Sequence, residues 1–282
     1  MTTQARNKLE RVLVCVVFFV LFCWTLQPLR TFDFWFHAEV GRQMVESLQL
    51  PWSDAYLGTS SKFAFHKYGN YAWLSCLLIY FVLTLAGPLG LVFLKSTLLM
   101  TTAVIVYRIC RHLGVGRHPS LLLVTLGLWT IRLRWMLRTV LFTDIALALL
   151  ILLFLKCHDK PQKRLLYVGL LFVLWSNLHA GVLAGWVFVF LWFVFGRYPI
   201  RETFATLVVV FLASHLRPHG HQLIPYWIDH FDNAYAFQAV SEWRPFGLTE
   251  IALNHGPLLL LSAFTLVTFF YQNRKNLTEP FG

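Results

Sequence analysis

An aspartate and a histidine four residues apart follow the first apolar segment of the chain. If the stretch from Thr31 to Arg42 is helical, Asp33 and His37 lie on one face, with Gly41 one turn further on. Four aromatic residues beside them would hold such a helix at a membrane surface. A carboxylate in this half-dry place can pair with an arginine or act as a general base. The alternative is that Asp33 only caps an interfacial helix.

A second group of candidate residues combines arginines with an aspartate. Arg132, Arg134 and Arg138 follow Trp129, and Asp144 comes soon after them. Because guanidinium groups suit bidentate contact with phosphate, the arginines indicate a site for an anionic headgroup. The alternative is that they extend from a helix end into water. Asp144 begins the next apolar segment, where an ionisable side chain needs either a partner or a function.

Two polar residues, Asn177 and His179, lie between two further apolar segments. Near a membrane boundary each of them needs a hydrogen-bond partner, which makes both of them candidates for binding a substrate. A tight turn between antiparallel helices explains the neighbouring Ala180 and Gly181 equally well. The pattern therefore leaves a binding role and a structural role open.

The stretch after residue 216 contains two weaker signals. His219 and His221, together with His215, could bind a divalent metal if a carboxylate came from elsewhere in the chain. Glu242 and Arg244 close the same stretch. None of these patterns requires a cofactor, and a divalent metal is the one that the histidines would allow.

The composition predicts a membrane protein. Of the 282 residues, 57% are hydrophobic and only 13% are charged, whereas soluble domains contain about a quarter charged residues. This balance excludes a soluble enzyme, a disordered protein and a disulfide-stapled secreted domain. The apolar segments lie at 12–29, 71–87, 88–107, 119–137, 139–155, 165–178, 182–196, 203–216 and 257–272.

The lysines and arginines predict how these segments are oriented. The short basic loops lie at 108–118, 156–164, 197–202 and 273–275. Such loops collect in the cytoplasm, and we place the N-terminus with them. With the N-terminus there, one early segment must not cross, and 71–87, which a Gly-Pro pair closes, is the candidate for a short re-entrant or interfacial helix. If 71–87 does cross and the N-terminus is outside, the charges fit equally well. We prefer the first arrangement because it alone puts the polar stretches 30–70, 138–144, 177–181 and 217–256 on one side of the membrane. We predict an all-α, polytopic membrane bundle of about eight crossing helices, a single domain (1–282) with outer loops at 30–70 and 217–256. The net charge of +11 then reflects orientation in a cell membrane and not a nucleic-acid partner.

Several short motifs follow one another in a fixed order over roughly residues 12–270. They are Asp33-Phe-Trp-Phe-His37 with Gly41-Arg42, Pro51 with Asp54, Trp73-Leu74, Arg138-x-x-Leu-Phe-Thr143, Asn177-Leu-His-x-Gly181, Pro218-x-Gly220 and Glu242-Trp-x-Pro245. Together they resemble bacterial polytopic membrane proteins with a GT-C-type glycosyltransferase fold. These are similar to the lipid-linked-sugar transferases of the mannosyl and aminoarabinosyl kind. The resemblance also implies that relatives extend further on the C-terminal side.

The resemblance implies a function and a role for each motif. A sugar would pass, with inversion, from a polyprenyl-phosphate donor to a glycan or lipid acceptor on the outer side of the membrane. Asp33 would be the catalytic base. The residues that would bind the donor phosphate or another part of the substrate are His37, Arg42, Arg138, Asn177, His179, Glu242 and Arg244.

Departures from the family pattern leave two other functions open. Ala72 stands where relatives carry a glutamate before Trp73, and Thr139 stands where a proline follows Arg138. The first alternative is a non-catalytic GT-C-like scaffold that binds a lipid phosphate or assists a partner membrane protein. The second alternative is a transporter or metal-handling membrane protein built on the histidines.

Overall fold

The structure, a computed structural model, describes residues 3–50, 72–132, 135–196 and 198–232. All regular secondary structure in these ranges is helical, which confirms the predicted all-α class. The helices are α1 Thr3–Thr25, α2 Asp33–Ser47, α3 Trp73–His112, α4 Arg117–Thr130, α5 Val140–Lys156, α6 Pro161–Leu178, α7 Val182–Gly196, α8 Ile200–His215 and α9 Leu223–Asp232. A single 3-10 turn, Gly220–Gln222, precedes α9.

Helix α3 consists of two helical segments that meet at Gly87. This glycine has φ 63° and ψ −165°, a conformation that glycine adopts at little cost, and the proline after it cannot continue the helical hydrogen bonds. A Cβ atom added to Gly90 would lie 3.3 Å from the carbonyl oxygen of Val82. Eight residues of straight helix span about 12 Å. The segments 73–86 and 88–112 therefore fold back against each other, and the predicted break at the Gly-Pro pair is present.

The connections between helices gather at two ends of the bundle. At the end that we call the polar end, Trp73 Nε1 donates to Asn177 Oδ1 at 2.8 Å, and Asn177 Nδ2 donates to the Leu216 carbonyl at 3.0 Å. These bonds join the start of α3 to the α6–α7 and α8–α9 connections. An ion pair between α2 and the α4–α5 connection lies at the same end.

The opposite end, which we call the basic end, holds the start of α1 and the α3–α4, α5–α6 and α7–α8 connections. Glu10 pairs there with Arg117, and Arg164 pairs with Glu202. Ile105 near the end of α3 packs in one cluster with residues near the end of α5. Helix α1, the segment 88–112 and helices α4 to α8 thus run between the two ends in alternating directions.

A buried lysine secures the chain between α1 and α2. Lys95 has no exposed surface, and its Nζ donates to the Gln27 carbonyl at 2.5 Å. The neighbouring Ser96 hydroxyl donates to the Thr25 carbonyl at 3.0 Å. These carbonyls come at the C-terminal end of α1, where the helix itself offers no donors. The second segment of α3 therefore fixes the point from which the chain continues into α2.

Large apolar side chains cover much of the outer surface of the bundle. Leu85, Phe195 and Phe204 are 84%, 79% and 68% exposed, and they belong to three different helices. Soluble monomers rarely expose apolar surface on this scale. Of the helices that the structure describes, α3 alone is long and apolar enough to cross a membrane by length and composition, and this gives weak support to a membrane location.

Candidate functional site

An ion pair at the polar end joins Asp33 and Arg138, which come from two different groups of candidate residues in the sequence. Asp33 Oδ2 lies 2.7 Å from Arg138 Nε, and the two side chains are 46% and 28% exposed. Asp33 is the first residue of α2, where a carboxylate interacts favourably with the helix dipole. Phe32 holds the N-cap position and makes no side-chain capping bond, and Thr31 Oγ1 accepts a hydrogen bond from the Asp33 N–H at 3.2 Å. Asp33 therefore comes one residue after the cap position and has an arginine partner on another element.

Helix α2 is pressed closely against the first segment of α3. A Cβ atom on Gly41 would lie 2.4 Å from the Cys76 carbonyl oxygen, so only glycine allows this approach. Phe34 and Ala38 are buried beside it, in one cluster with Ile79. The predicted face of Asp33, His37 and Gly41 thus turns towards the bundle, and the packing holds the ion pair in place.

His37 lies one turn after Asp33 and is partly buried. Its Nδ1 lies 3.3 Å from the Cys76 sulfur. Burial lowers the pKa of His37 from 6.5 to about 4; Asp33 raises the pKa and Arg138 lowers it by smaller amounts. The imidazole is therefore neutral near pH 7 and can act as a hydrogen-bond donor or acceptor but not as a cation.

His179, in the α6–α7 connection, is held by a group of hydrogen bonds at the same end. Its Nδ1 lies 2.8 Å from the Thr143 hydroxyl and accepts the Gly181 N–H at 3.0 Å. Burial, with a smaller contribution from His37, lowers the pKa of His179 from 6.5 to about 4. The two histidines thus lie close enough to influence each other electrostatically, and both are neutral near pH 7.

Asn177 is fully engaged with other parts of the chain. Its Oδ1 accepts from Trp73, and its Nδ2 donates to the carbonyls of Val173 at 2.7 Å and Leu216 at 3.0 Å. These bonds use both amide protons of the side chain. The structure therefore gives Asn177 the task of joining α3, α6 and the α8–α9 connection beside the site.

Arg42 is directed along its own helix. Its guanidinium pairs with Glu39 at 2.6 Å and with Glu46 at 2.5 Å, three residues before it and four after it. These two carboxylates raise the pKa of Arg42. The structure does not bring Arg42 to the Asp33–Arg138 pair, in contrast to the prediction that it belongs to the phosphate site.

The remaining predicted residues lie apart from this group or outside the described residues. The rings of His219 and His221 are 6.5 Å apart between centroids. In the ranges that the structure describes, no three histidine, cysteine or acidic side chains gather as metal ligands would. Glu242 and Arg244 lie outside the described residues, as do Arg134, Pro51, Asp54 and the apolar segment 257–272.

Sequence reasoning missed Thr143 and Trp175 as parts of the site. The indole Nε1 of Trp175 donates to the Thr143 hydroxyl at 3.0 Å, and both side chains are buried. The sequence had indicated the next residue, Asp144, as the ionisable candidate. Asp144 lines an apolar cavity of about 410 Å³ between α3, α4 and α5. Thr143 contacts α6 and the α6–α7 connection, so Thr143 and Asp144 lie on different sides of α5.

Comparisons with protein families, with curated proteins and with solved structures found no match to this chain. Its chemistry must therefore be argued from the polar end itself. There a carboxylate, a guanidinium and two neutral imidazoles come from three separate parts of the chain. This set can accept a proton, bind an anion and donate hydrogen bonds.

Proposed function

We propose that the chain is a multi-pass membrane glycosyltransferase of the GT-C type. It transfers a sugar from a polyprenyl-phosphate donor to a glycan or lipid acceptor on the outer side of the cell membrane. The observation that carries the proposal is the Asp33–Arg138 ion pair, 2.7 Å long and partly exposed, with His37 beside it. It supports the proposal because a carboxylate that can accept a proton lies beside a guanidinium that can bind a phosphate.

The outer surface of the bundle supports a multi-pass arrangement. Exposed apolar side chains such as Phe19, Phe195 and Phe204 come from α1, α7 and α8, which run between the two ends. In water this surface would cost free energy in proportion to its area, whereas lipid chains would cover it without that cost. We infer that several helices besides α3 contact lipid.

The distribution of charge supports the orientation. The basic end carries the connections with the most lysines and arginines, among them Arg111, Arg117, Lys160, Lys163 and Arg201. Positive residues of short loops accumulate on the cytoplasmic side of a membrane. The polar end would then face outward. The segment 73–86 begins there at Trp73 and leads back into 88–112, as expected for an interfacial or re-entrant helix.

The proposed reaction is a single displacement at the anomeric carbon of the donor sugar. The acceptor hydroxyl attacks this carbon, its proton passes to the Asp33 carboxylate, and the bond from the carbon to the phosphate oxygen breaks. The polyprenyl phosphate leaves as an anion, and Arg138 stabilises its charge. Arg138 supplies the positive charge that a divalent metal would otherwise bring.

A non-catalytic scaffold is the second candidate, because two predicted binding residues have structural partners. Asn177 joins three elements, and Arg42 pairs within α2. In such a scaffold, Asp33 and Arg138 would bind a lipid phosphate or stabilise contact with a partner membrane protein without reacting.

An assay of purified protein separates these two functions. The chain, reconstituted in nanodiscs, is given polyprenyl-phosphate-linked mannose or aminoarabinose with acceptors extracted from its own cells, and release of polyprenyl phosphate is measured. We expect release by the wild type, and a rate lower by about 10²- to 10⁴-fold for Asp33→Asn, because a positioned base contributes that much. Glu46→Gln is the matched control, since it removes an exposed carboxylate from the same helix.

The same variants are tested in cells at equal protein level. A glycosyltransferase predicts that Asp33→Asn leaves the surface glycans or glycolipids of a deletion strain unrestored, while Glu46→Gln restores them. Full restoration by Asp33→Asn would rule out the catalytic role and favour the scaffold.

A further inference from the structure

The hydrogen bonds around Thr143 determine which nitrogen of His179 carries the proton. An indole N–H can only donate, so the Thr143 hydroxyl accepts from Trp175 Nε1 at 3.0 Å. His179 Nδ1 lies 2.8 Å from the same oxygen, and because a backbone N–H donates to this nitrogen, Nδ1 is an acceptor and the Thr143 hydroxyl donates its proton to it. The Gly181 N–H also donates to this Nδ1, at 3.0 Å. A nitrogen that receives two donors carries no proton of its own.

We propose that Thr143 is a positioning residue that holds His179 as the neutral Nε2–H tautomer, so that the ring donates a hydrogen bond from Nε2 to an anionic phosphate oxygen. His179 then serves as a fixed donor and neither as a base nor as a cation. The tautomer follows from the hydrogen bonds alone. The identity of the acceptor as a phosphate oxygen rests on the proposed function.

The surroundings leave the ring little freedom to adopt the other tautomer. A Cβ atom on Gly181 would lie 2.5 Å from the Thr143 hydroxyl and 2.7 Å from His179 Nδ1, so the backbone approaches as closely as a glycine permits. Trp175 has no exposed surface and Thr143 is only 8% exposed. His179 keeps part of its surface accessible. The Nδ1 atom is thus occupied by hydrogen bonds within the protein, and Nε2 is the nitrogen that can bind a ligand.

Protonation of His179 conflicts with the same arrangement. An imidazolium would place an N–H at Nδ1 against the Gly181 N–H, and this contact disfavours the charged form in addition to burial. Among the described residues, His37 acts on the pKa of His179, and Asp33 and Arg138 act in turn on that of His37. Arg217 also lies at this end, where its guanidinium donates to the Ser176 carbonyl at 2.9 Å. A neutral donor does not take a proton from the acceptor hydroxyl, and this task stays with Asp33.

Nitrogen NMR of protein with ¹⁵N-labelled histidine, in phosphatidylcholine nanodiscs, tests the tautomer directly. The His179→Gln variant identifies the His179 signals. We expect wild-type Nε2 to carry the proton and Nδ1 to be unprotonated, from pH 6 to pH 8. A proton on Nδ1, or a doubly protonated ring at pH 7, would overturn the proposal.

Variants of Thr143 test whether it positions the ring. Thr143→Val removes the hydroxyl, and we expect a mixture of tautomers; Thr143→Ser retains the hydroxyl and should restore the wild-type signals. Thr206→Val is the matched control, because Thr206 is equally buried and its hydroxyl bonds within α8 at the other end. A Thr143→Val spectrum identical to that of the wild type would overturn the positioning role.

Titration with a short-chain polyprenyl phosphate tests the acceptor. We expect this ligand to shift the Nε2 signal, and to bind about tenfold more weakly to Thr143→Val than to Thr143→Ser, the effect of one hydrogen bond to a charged group. An unchanged Nε2 signal at saturating ligand would overturn the phosphate assignment. Absence of sugar transfer together with the expected Nε2 shift would instead count against the proposed function only.

Discussion

The two ends of the bundle each contain an arginine–carboxylate pair, and the pairs differ in exposure. We call the buried pair Arg164–Glu202 the closed pair and the partly exposed pair Asp33–Arg138 the open pair. At the basic end Arg164 is 1% exposed, pairs with Glu202 and donates to the His158 carbonyl at 3.0 Å. Its guanidinium lies over the rings of Phe154, Phe193 and Tyr198, 5.3–6.0 Å from their centroids. At the polar end, Asp33 and Arg138 are 46% and 28% exposed and have neutral histidines nearby.

This difference separates a structural pair from one that can exchange partners. Separating a buried pair leaves an uncompensated charge inside the protein, so Arg164 and Glu202 are committed to joining α6 to α8. A partly hydrated pair contributes little to stability, and a ligand can replace either partner at small cost. The open pair is therefore the one suited to chemistry, although both pairs join the same residue types.

The largest expected effect comes from removing each arginine in turn. Arg164→Leu should lower the free energy of unfolding by about 3–5 kcal/mol, because Glu202 then loses its partner in a largely buried place. Arg138→Leu should lower it by less than about 1 kcal/mol. Denaturant unfolding in detergent micelles measures both. Lys163→Leu is the control, since Lys163 is the exposed neighbour of Arg164.

Activity should depend on Arg138, although its removal is expected to change stability little. Polyprenyl phosphate release by Arg138→Leu should fall to background, whereas Lys163→Leu should retain the wild-type rate. Equal losses of stability for Arg164→Leu and Arg138→Leu would remove the distinction between a closed and an open pair.

A smaller loss of stability is expected at acid pH, and it should depend on His37 at the polar end. The pKa of His37 is about 4 in the folded chain and 6.5 when unfolded. Between these values the unfolded chain binds more protons, so the stability that His37 contributes is present above pH 6.5 and is lost as the pH falls towards 4.

Unfolding midpoints measured between pH 8 and pH 4 test this dependence. The wild type should lose stability below pH 6.5, and His37→Gln should lose less over the same range. His158→Gln, at the basic end, provides the control because this ring is exposed. Identical acid profiles for wild type and His37→Gln would contradict the burial of His37 as the cause.

Local spacing predicted the features that depend on neighbours in the chain. The i, i+4, i+8 spacing of Asp33, His37 and Gly41 gave the face of α2 that meets α3, and the Gly-Pro pair gave the break inside α3. Thr143 escaped notice because its histidine partner comes 36 residues later and on another element. The spacing of residues within α5 cannot predict a contact with a residue on another element.

Arg42, which pairs within its own helix, provides the smallest expected effect. The sequence places Glu39 three residues before Arg42 and Glu46 four residues after it, a spacing that favours pairs along one helix. The family resemblance assigned Arg42 to the phosphate site, whereas this spacing favours its pairing with Glu39 and Glu46. Because the pairs are exposed, we expect Arg42→Gln to leave the unfolding midpoint unchanged.

Arg42→Gln also tests which cations serve the open pair. If Arg138 and not Arg42 is the cation that binds the donor phosphate, the KM of Arg42→Gln for the polyprenyl-phosphate sugar should stay within about twofold of the wild type, while Arg138→Gln raises this KM by tenfold or more. Arg42→Lys, which keeps the charge, serves as the control for changes in α2. A rise in KM for Arg42→Gln that Arg42→Lys reverses would show that Arg42 leaves Glu39 and Glu46 when the donor binds. Ion pairs that exchange partners when the donor binds would then occur along α2 as well as at its first residue, Asp33.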